Sequence, residues 1–416
     1  EIVYKKKTNI VSLLPNAAAQ SQEDQLETAV ENLEFSFSNA IYKLQEEKQK
    51  KVAVLSGNKE LLDIQLYSFL SEVTKKHRLA KFTLDSVENN SLKSLQDFQQ
   101  FNLAIIAKPT ESFTEEEKLV LDQYIMNGGK TLWMFENVQA DTDSLYKDGK
   151  MLAYPRDLYL TDFFFSYGLR VNATLIQDLY AAKIPLATGN IGNKPQFQNL
   201  NWFYHPLVSG NQTHAISKNI APVRLRFANQ IDTLQNSLQK TVLLMSSMLT
   251  RKTGTPAIIA LESIAEEPKE EDYSSGFQIF SLLIEGDFTS MYANRIKPFN
   301  IKKFSKKSSH NKMIVISDGD IGRNQLQKGK PFDLARDKWT DEQFGNKEFL
   351  LNVIDYLLDD NGLIELRNKN IQINLLDKKR AFEERTFWQF INIALPLFIL
   401  TIFGCVFHYL RKRKYS

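Results

Sequence analysis

The chain has a single cysteine, Cys405, among its 416 residues. One thiol cannot form an internal disulfide or supply a cysteine-based zinc site. The chain also has only a small excess of positive charge, because 52 basic and 49 acidic residues leave a net charge of +3. A charge this small gives no support for bulk nucleic-acid binding. The apolar content of 43% is ordinary for a folded protein, and the length allows two or three domains.

Catalytic and nucleotide-binding motifs are scarce. The G-x-S-x-G motif of α/β-hydrolases does not occur. The segment IMNGGKTLWMF contains Gly-Gly-Lys-Thr, but a phosphate-binding loop would need glycine in place of Tyr124. The predicted order is also helix, glycines and strand, whereas phosphate is bound at the start of a helix. The sequence therefore argues against an ATP site in this segment.

One long uncharged run is present, and it covers residues 386–410. As a helix, its roughly 25 residues are long enough to cross a hydrocarbon core. Trp388 and Tyr409 lie near its two ends, where aromatic residues suit the membrane interfaces. We predict a transmembrane helix at 386–410 and a basic cytoplasmic tail at 411–416. Lys and Arg residues are equally frequent on its two sides, so they do not fix the orientation by themselves.

Strand-like and helix-like segments alternate along the body of the chain. Lys51–Gly57 is the first β-branched run, and Thr114 with Glu117 forms a capping box at the start of a later helix. The βαβαβ order predicts an α/β fold with a parallel-rich sheet and flanking helices. Residues 180–240 are rich in Asn, Gln and Pro, and we expect irregular insertions there and at 262–276.

Polar residues directly after two predicted strands mark a candidate ligand site. Ser56 and Asn58 follow the first strand, and Asp318 and Asp320 follow a later one in ISDGD. Open α/β sheets bind ligands at the carboxyl ends of their strands, and hard cations prefer carboxylate oxygens. Both segments also read as ordinary turns. These four residues form the candidate ligand site, and we predict no catalytic, cofactor-binding or metal-binding residue.

Four segments in this order resemble the GldG family of gliding-motility proteins, which are auxiliary components of ABC-type transport systems. They are LLPNAAAQSQEDQLETAVENLEFSFSNAIYKL, KVAVLSGNKEL, YIMNGGKTLWMFENVQADTDSL and VISDGDIGRNQ. The resemblance implies a GldF-like permease and a GldA-like cytoplasmic ATPase as partners, and a main domain outside the cytoplasm. It also implies a class I glutamine amidotransferase-like fold. Enzymes of that fold use a nucleophilic cysteine, and the body of this chain has none before Cys405.

We therefore expect a non-enzymatic, inner-membrane component of an ABC-type complex for gliding motility, often labelled substrate-binding, with a periplasmic main domain and no cofactor. The alternatives are a periplasmic glycan- or peptide-binding module, a metal-dependent enzyme using Asp318 and Asp320, and a tail-anchored cytosolic protein. The expected organisation follows the chain: the truncated end of an upstream domain with a linker and helix at 1–50, the α/β domain at 51–360, a juxtamembrane segment at 361–385, the transmembrane helix at 386–410 and the tail at 411–416.

Overall fold

The computed structural model describes residues 1–5, 7–11, 13, 22–45, 50–192, 194–369 and 378–415. Most of the predicted linker and residues 370–377 of the predicted juxtamembrane segment lie outside the described residues. Contacts divide the chain into two compact units, Glu1–Lys369 and Asn370–Ser416. The predicted domain boundaries stay predictions.

All the strands among the described residues belong to the first unit. In chain order they are β1 (Ile2–Tyr4), β2 (Lys7–Asn9), β3 (Lys51–Ser56), β4 (Arg78–Thr83), β5 (Leu103–Ala107), β6 (Lys130–Met134), β7 (Val138–Gln139), β8 (Lys150–Pro155), β9 (Leu169–Asp178), β10 (Ala181–Ile191), β11 (Lys194–Gly210), β12 (Val223–Arg224), β13 (Asn229–Thr233), β14 (Gln239–Met245), β15 (Thr250–Gly254), β16 (Ala257–Ala260), β17 (Ile279–Gly286), β18 (Asn311–Ile316), β19 (Leu326–Gln327) and β20 (Lys330–Pro331).

The α-helices of the first unit lie mostly between these strands. They are α1 (Gln22–Glu31), α2 (Leu33–Gln45), α3 (Asp63–Thr74), α4 (Ser86–Phe98), α5 (Glu115–Met126), α6 (Thr142–Asp148), α7 (Thr161–Ser166) and α8 (Asn346–Leu358). The second unit contains α9 (Lys378–Glu383) and α10 (Arg385–Tyr415).

A 10-stranded mixed sheet organises the first unit, in the order β10-β11-β14-β17-β18-β6-β5-β3-β4, with β12 beside β11. The run β18-β6-β5-β3-β4 is parallel, and the remaining pairs are antiparallel. The prediction of a parallel-rich sheet therefore holds for only half of the strands in this sheet. Parallel neighbours need a crossover, whereas β17 and β18 are joined by a loop without a helix and pair antiparallel. The amidotransferase-like class stays a prediction.

Alternate residues of the parallel strands pack on opposite faces, because side chains of a strand alternate in direction. Leu66 of α3 and Phe349 of α8 belong to the apolar cluster on one face. Val87 of α4 and Leu119 of α5 belong to the cluster on the other face. The strand residues divide accordingly between the two clusters: Val52, Val54, Leu103, Ile105, Leu132 and Ile314 on the first face, and Ala53, Leu55, Ala104, Ile106, Trp133 and Val315 on the second.

The predicted capping box at the start of α5 is confirmed. Thr114 accepts a hydrogen bond from the backbone N–H of Glu117, and the Glu117 carboxylate accepts one from the Thr114 backbone. Gly128, with a φ of 91°, follows this helix, and β6 begins at Lys130. The order of helix, glycines and strand is therefore as predicted.

The expectation of irregular structure at 180–240 is wrong for much of that range. β10 and β11 form a long antiparallel hairpin, and β13 pairs with β9. Exposed Asn and Gln residues obscured the apolar alternation of these strands, and register shifts at Ala181/Lys183 and Ala187/Gly189 interrupt its period. The second predicted insertion, at 262–276, contains two short 3₁₀ turns, and its Tyr273 is buried.

The second unit consists mainly of α10. The stretch Arg385–Lys414 is long and apolar enough to cross a membrane, and none of its most apolar window is buried within the structure. Pro396 lies inside this helix. Its 31 residues would span about 46 Å at 1.5 Å per residue, more than the roughly 30 Å of a hydrocarbon core.

Candidate functional site

Four buried charged residues lie at the carboxyl ends of β5, β6 and β18, which are neighbours in the sheet. Lys108 directly follows β5, and Glu136 lies two residues after β6. Asp318 and Asp320 follow β18 after Ser317. Because parallel strands end at the same edge, three short extensions bring these side chains together.

The Lys108 ammonium lies between two carboxylates. Its Nζ is 3.3 Å from Glu136 Oε1 and pairs closely with Asp320 Oδ2. Two arginines complete the network: Arg156 Nη1 is 3.1 Å from Glu136 Oε1, and Arg323 Nη1 is 3.4 Å from Asp320 Oδ1. We call Lys108, Glu136, Asp318 and Asp320 the lysine cluster.

Backbone N–H groups hold the carboxylates in place. Gly319 N–H donates to Glu136 Oε2 at 2.6 Å, and Asp320 N–H donates to Asp318 Oδ1 at 2.7 Å. The other oxygen of Asp318, Oδ2, accepts from the Arg226 N–H at 2.8 Å. The Asp-Gly-Asp turn is therefore bonded both to the end of β6 and to the segment after β12.

The charges in the lysine cluster shift one another's pKa values. Burial opposes the charged form of Lys108, but the neighbouring carboxylates of Asp320 and Glu136 outweigh it and raise the lysine pKa. Burial likewise opposes ionisation of Asp320, yet Lys108 and Arg323 lower its pKa overall. The pKa of Asp318 is raised, mainly by burial and then by the negative charges of Asp320 and Glu136. The pair Lys108–Asp320 is thus held in its charged form.

Two backbone features allow this close packing. A Cβ at Gly319 would lie 2.6 Å from Lys108 Cγ and would also collide with Glu136 Oε2, so only glycine fits there. Lys108 itself has a left-handed backbone, with a φ of 54°, which is uncommon for a residue other than glycine. Backbone strain of this kind persists only where surrounding contacts enforce it.

The arrangement of the lysine cluster does not favour binding of a metal ion. An ammonium already supplies the positive charge between Glu136 and Asp320, which disfavours a metal ion between the same oxygens. Across the described ranges, no group of three or more His, Cys, Asp or Glu side chains is arranged to hold a metal. The cluster therefore suits a network that fixes three strand ends.

Ser56 and Asn58 do not join Asp318 and Asp320. Ser56 Oγ donates to the Phe82 carbonyl at 3.4 Å, so it bonds towards β4. Asn58 Nδ2 donates to the Ser112 carbonyl at 3.3 Å and to Glu117 Oε2 at 3.4 Å. The four predicted site residues thus lie in two separate polar groups on the same edge of the sheet.

Comparison with known proteins gives a family. The model of the family described as "ABC-type uncharacterized transport system", whose members are auxiliary components, matches residues 49–353. The chain belongs to this family. A search of curated protein sequences found no match to the chain. Among solved structures, the mmIFT52 N-terminal domain is similar at 12% identity with a TM-score of 0.41, covering 75% of this chain and 99% of that one. A likeness of that size does not identify the fold.

Membership of the ABC-type family has direct consequences. It associates the chain with the components of a transport system and supports a non-catalytic, transport-related role. The matched range, residues 49–353, includes both polar groups and ends inside α8.

Sequence reasoning missed Lys108 and Glu136. A signal was available, because each charged residue comes within two positions of a fully apolar run, LAIIA before Lys108 and LWMF before Glu136. A charge in such a place is either a solvated turn residue or a buried partner. The two possibilities can be distinguished only when it is known that β5, β6 and β18 are neighbours in the sheet.

We predict that Gly319→Ala lowers the free energy of unfolding by about 1–3 kcal/mol or more, because the new methyl group overpacks Lys108 and Glu136. Gly322→Ala is the matched control, since the nearest atom to its added Cβ, Leu66 Cδ2, is 3.4 Å away. Urea denaturation of the full chain in detergent micelles measures both variants. Equal effects of the two substitutions would contradict the packing described here.

We predict that Lys108→Met destabilises the protein by about 3–5 kcal/mol at neutral pH, because buried carboxylates lose their ammonium partner. Lys59→Met is the control, since Lys59 pairs with Glu111 at the surface and its loss costs less than about 1 kcal/mol. Because the pKa of Asp320 is lowered on folding, its ionised form stabilises the fold at pH values above about 4, the pKa of an aspartate in the unfolded chain. This contribution to stability is lost progressively as the pH falls further.

Urea denaturation at neutral pH and at about pH 3 therefore tests the lysine cluster in two ways. The difference in stability between wild type and the Lys108→Met variant narrows on acidification. Asp320 then becomes protonated in the unfolded chain, and the folded wild type, in which Lys108 and Arg323 lower the pKa of this carboxyl, loses the stabilisation that the charged pair supplied. A Lys108→Met variant as stable as Lys59→Met would show that the cluster contributes little.

Proposed function

We propose that this chain is the membrane-anchored, non-ATPase component of an ABC-type complex required for gliding motility. The observation that carries the proposal is α10, an exposed apolar helix on a chain whose body belongs to an ABC-type transport family. ATP hydrolysis then takes place on a GldA-like subunit, and α10 packs against a GldF-like permease. This chain contributes by binding and mechanical coupling rather than by catalysis.

The interior of the first unit supports a non-catalytic role. The ionisable groups at the ends of β5, β6 and β18 bond to each other and to backbone N–H groups. Lys108 and Asp320 are each less than a tenth exposed. A substrate would therefore have to break this network before it reached these side chains.

The orientation that we propose places the first unit in the periplasm and the carboxyl-terminal tail in the cytoplasm. Four Lys and Arg residues precede the apolar part of α10 and four follow it, so positive charge alone does not decide the orientation. The resemblance to GldG proteins supports the orientation that we propose, and the membrane is then the inner membrane.

We predict that Phe398→Lys combined with Ile402→Lys releases the chain from carbonate-washed membranes. Both side chains are exposed on α10, and a lysine near the middle of a membrane helix costs about 2.5–3.5 kcal/mol. Lys412→Gln with Lys414→Gln is the control, because these residues follow the apolar run. A double-lysine variant that still sediments with the membranes like wild type would contradict the insertion of α10 into the bilayer.

The orientation has its own test, in a Cys405→Ser background. A small membrane-impermeant maleimide should label a Glu270→Cys variant in intact cells, because Glu270 is exposed in the first unit. A Lys412→Cys variant should react only after lysis. The reverse pattern would place the first unit in the cytoplasm and favour the tail-anchored alternative.

A further inference from the structure

A second polar group lies at the end of β3, where the order of the sheet reverses. β3 lies between β4 and β5, so the chain moves to one side of β3 after its first crossover and to the other side after its second. Open α/β sheets bind ligands in the crevice outside such a switch point.

Two loops meet in this crevice. The backbone N–H groups of Thr110 and Glu111 donate to the Asn58 carbonyl at 2.8 and 3.0 Å, and Leu61 N–H donates to the Ala107 carbonyl at 2.9 Å. Lys59, like Lys108, has a left-handed backbone, with a φ of 52°. The loops that follow β3 and β5 are therefore held against each other by their main chains.

The side chains gathered there present mainly oxygen acceptors. Glu117 Oε2 accepts from Thr114 N–H and Asn58 Nδ2, and Glu60 Oε2 accepts from Asn58 N–H. Within the residues that the structure describes, Asn58 Oδ1 and Glu60 Oε1 are buried atoms with no hydrogen-bond partner. Asn58 is only 3% exposed, so its free oxygen is not solvated by bulk water. Unsatisfied buried acceptors of this kind are rare and costly.

The negative charge of this group is not compensated. In the described part of the chain, neither Glu60 nor Glu117 forms a salt bridge, and Lys59 pairs instead with Glu111 at 2.6 Å. The lysine cluster differs, because Lys108, Arg156 and Arg323 form salt bridges with the carboxylates of Glu136 and Asp320. Burial raises the pKa values of Glu60 and Glu117, as expected for carboxylates that lack a cationic partner.

We propose that Asn58, Glu60 and Glu117 form a binding site for a hard divalent cation of the Ca²⁺ type. The amide oxygen Oδ1 of Asn58 and the carboxylate oxygen Oε1 of Glu60 supply ligands that have no other partner. Ca²⁺ accepts carboxylate, amide and water oxygens in irregular geometry, whereas Mg²⁺ requires a near-ideal octahedron. With only two carboxylates, the site needs water molecules to complete the coordination. Ca²⁺ bound there would hold the loop after β3 against the start of α5.

The test uses the full chain in detergent micelles, stripped of metal with a chelator and kept in a buffer without phosphate. Thermal unfolding is then followed with and without added CaCl₂, and the heat of binding is measured by titration calorimetry. We expect an upward Tm shift of a few degrees at a Ca²⁺ concentration about 100-fold above the Kd. MgCl₂ at the same concentration should give a smaller shift.

Glu60→Gln removes one charge while keeping the shape of the side chain, and it should abolish both the Tm shift and the heat of binding. Glu111→Gln is the matched control, because Glu111 is a neighbouring glutamate that lies half-exposed beside Lys59, and it should respond like wild type. A Ca²⁺ response that survives in Glu60→Gln would place the cation elsewhere and overturn the proposal. It is also overturned if wild type shows no response up to about 10 mM, far above the Kd range of extracellular Ca²⁺ modules.

Discussion

The central part of the structure depends on the ion pairs that the Lys108 ammonium forms with Glu136 and Asp320. The ammonium lies buried among carboxylates at the ends of three neighbouring strands. Charges at such a depth are tolerated only when they are paired and hydrogen-bonded. That requirement explains the absence of a side chain at Gly319, the left-handed backbone of Lys108 and the two backbone N–H groups that bind Asp318.

The same edge of the sheet therefore carries two polar groups of opposite character. In the lysine cluster, Glu136 and Asp320 form salt bridges and Asp318 accepts backbone hydrogen bonds, so the strand ends of β5, β6 and β18 are joined. Beside β3, buried oxygen atoms of Asn58 and Glu60 have no hydrogen-bond partner among the residues that the structure describes. The first group is suited to rigidity, and the second is suited to a response to a ligand.

The parts of the fold that depend on residues close together in the chain could be predicted from the sequence. The apolar runs of β3, β5, β6 and β18 and the capping box of α5 each depend on residues close together in the chain. The hairpin of β10 and β11 could not be predicted in this way, because its polar exposed residues hide the apolar alternation. Asp318 and Asp320 were predicted as site residues, but their partner Lys108 lies about 210 positions earlier. Pairings of this kind depend on the order of strands, which local patterns do not contain.

A folded unit that belongs to an ABC-type transport family and an apolar helix on the same chain underlie our proposal that this protein works as a non-catalytic part of a transporter. Affinity purification of the full chain from native membranes, followed by mass spectrometry, tests this proposal. We expect an ABC permease subunit and an ATPase subunit to be recovered with the chain in fixed proportion. Recovery of the chain alone, or with no transporter subunit, would contradict it.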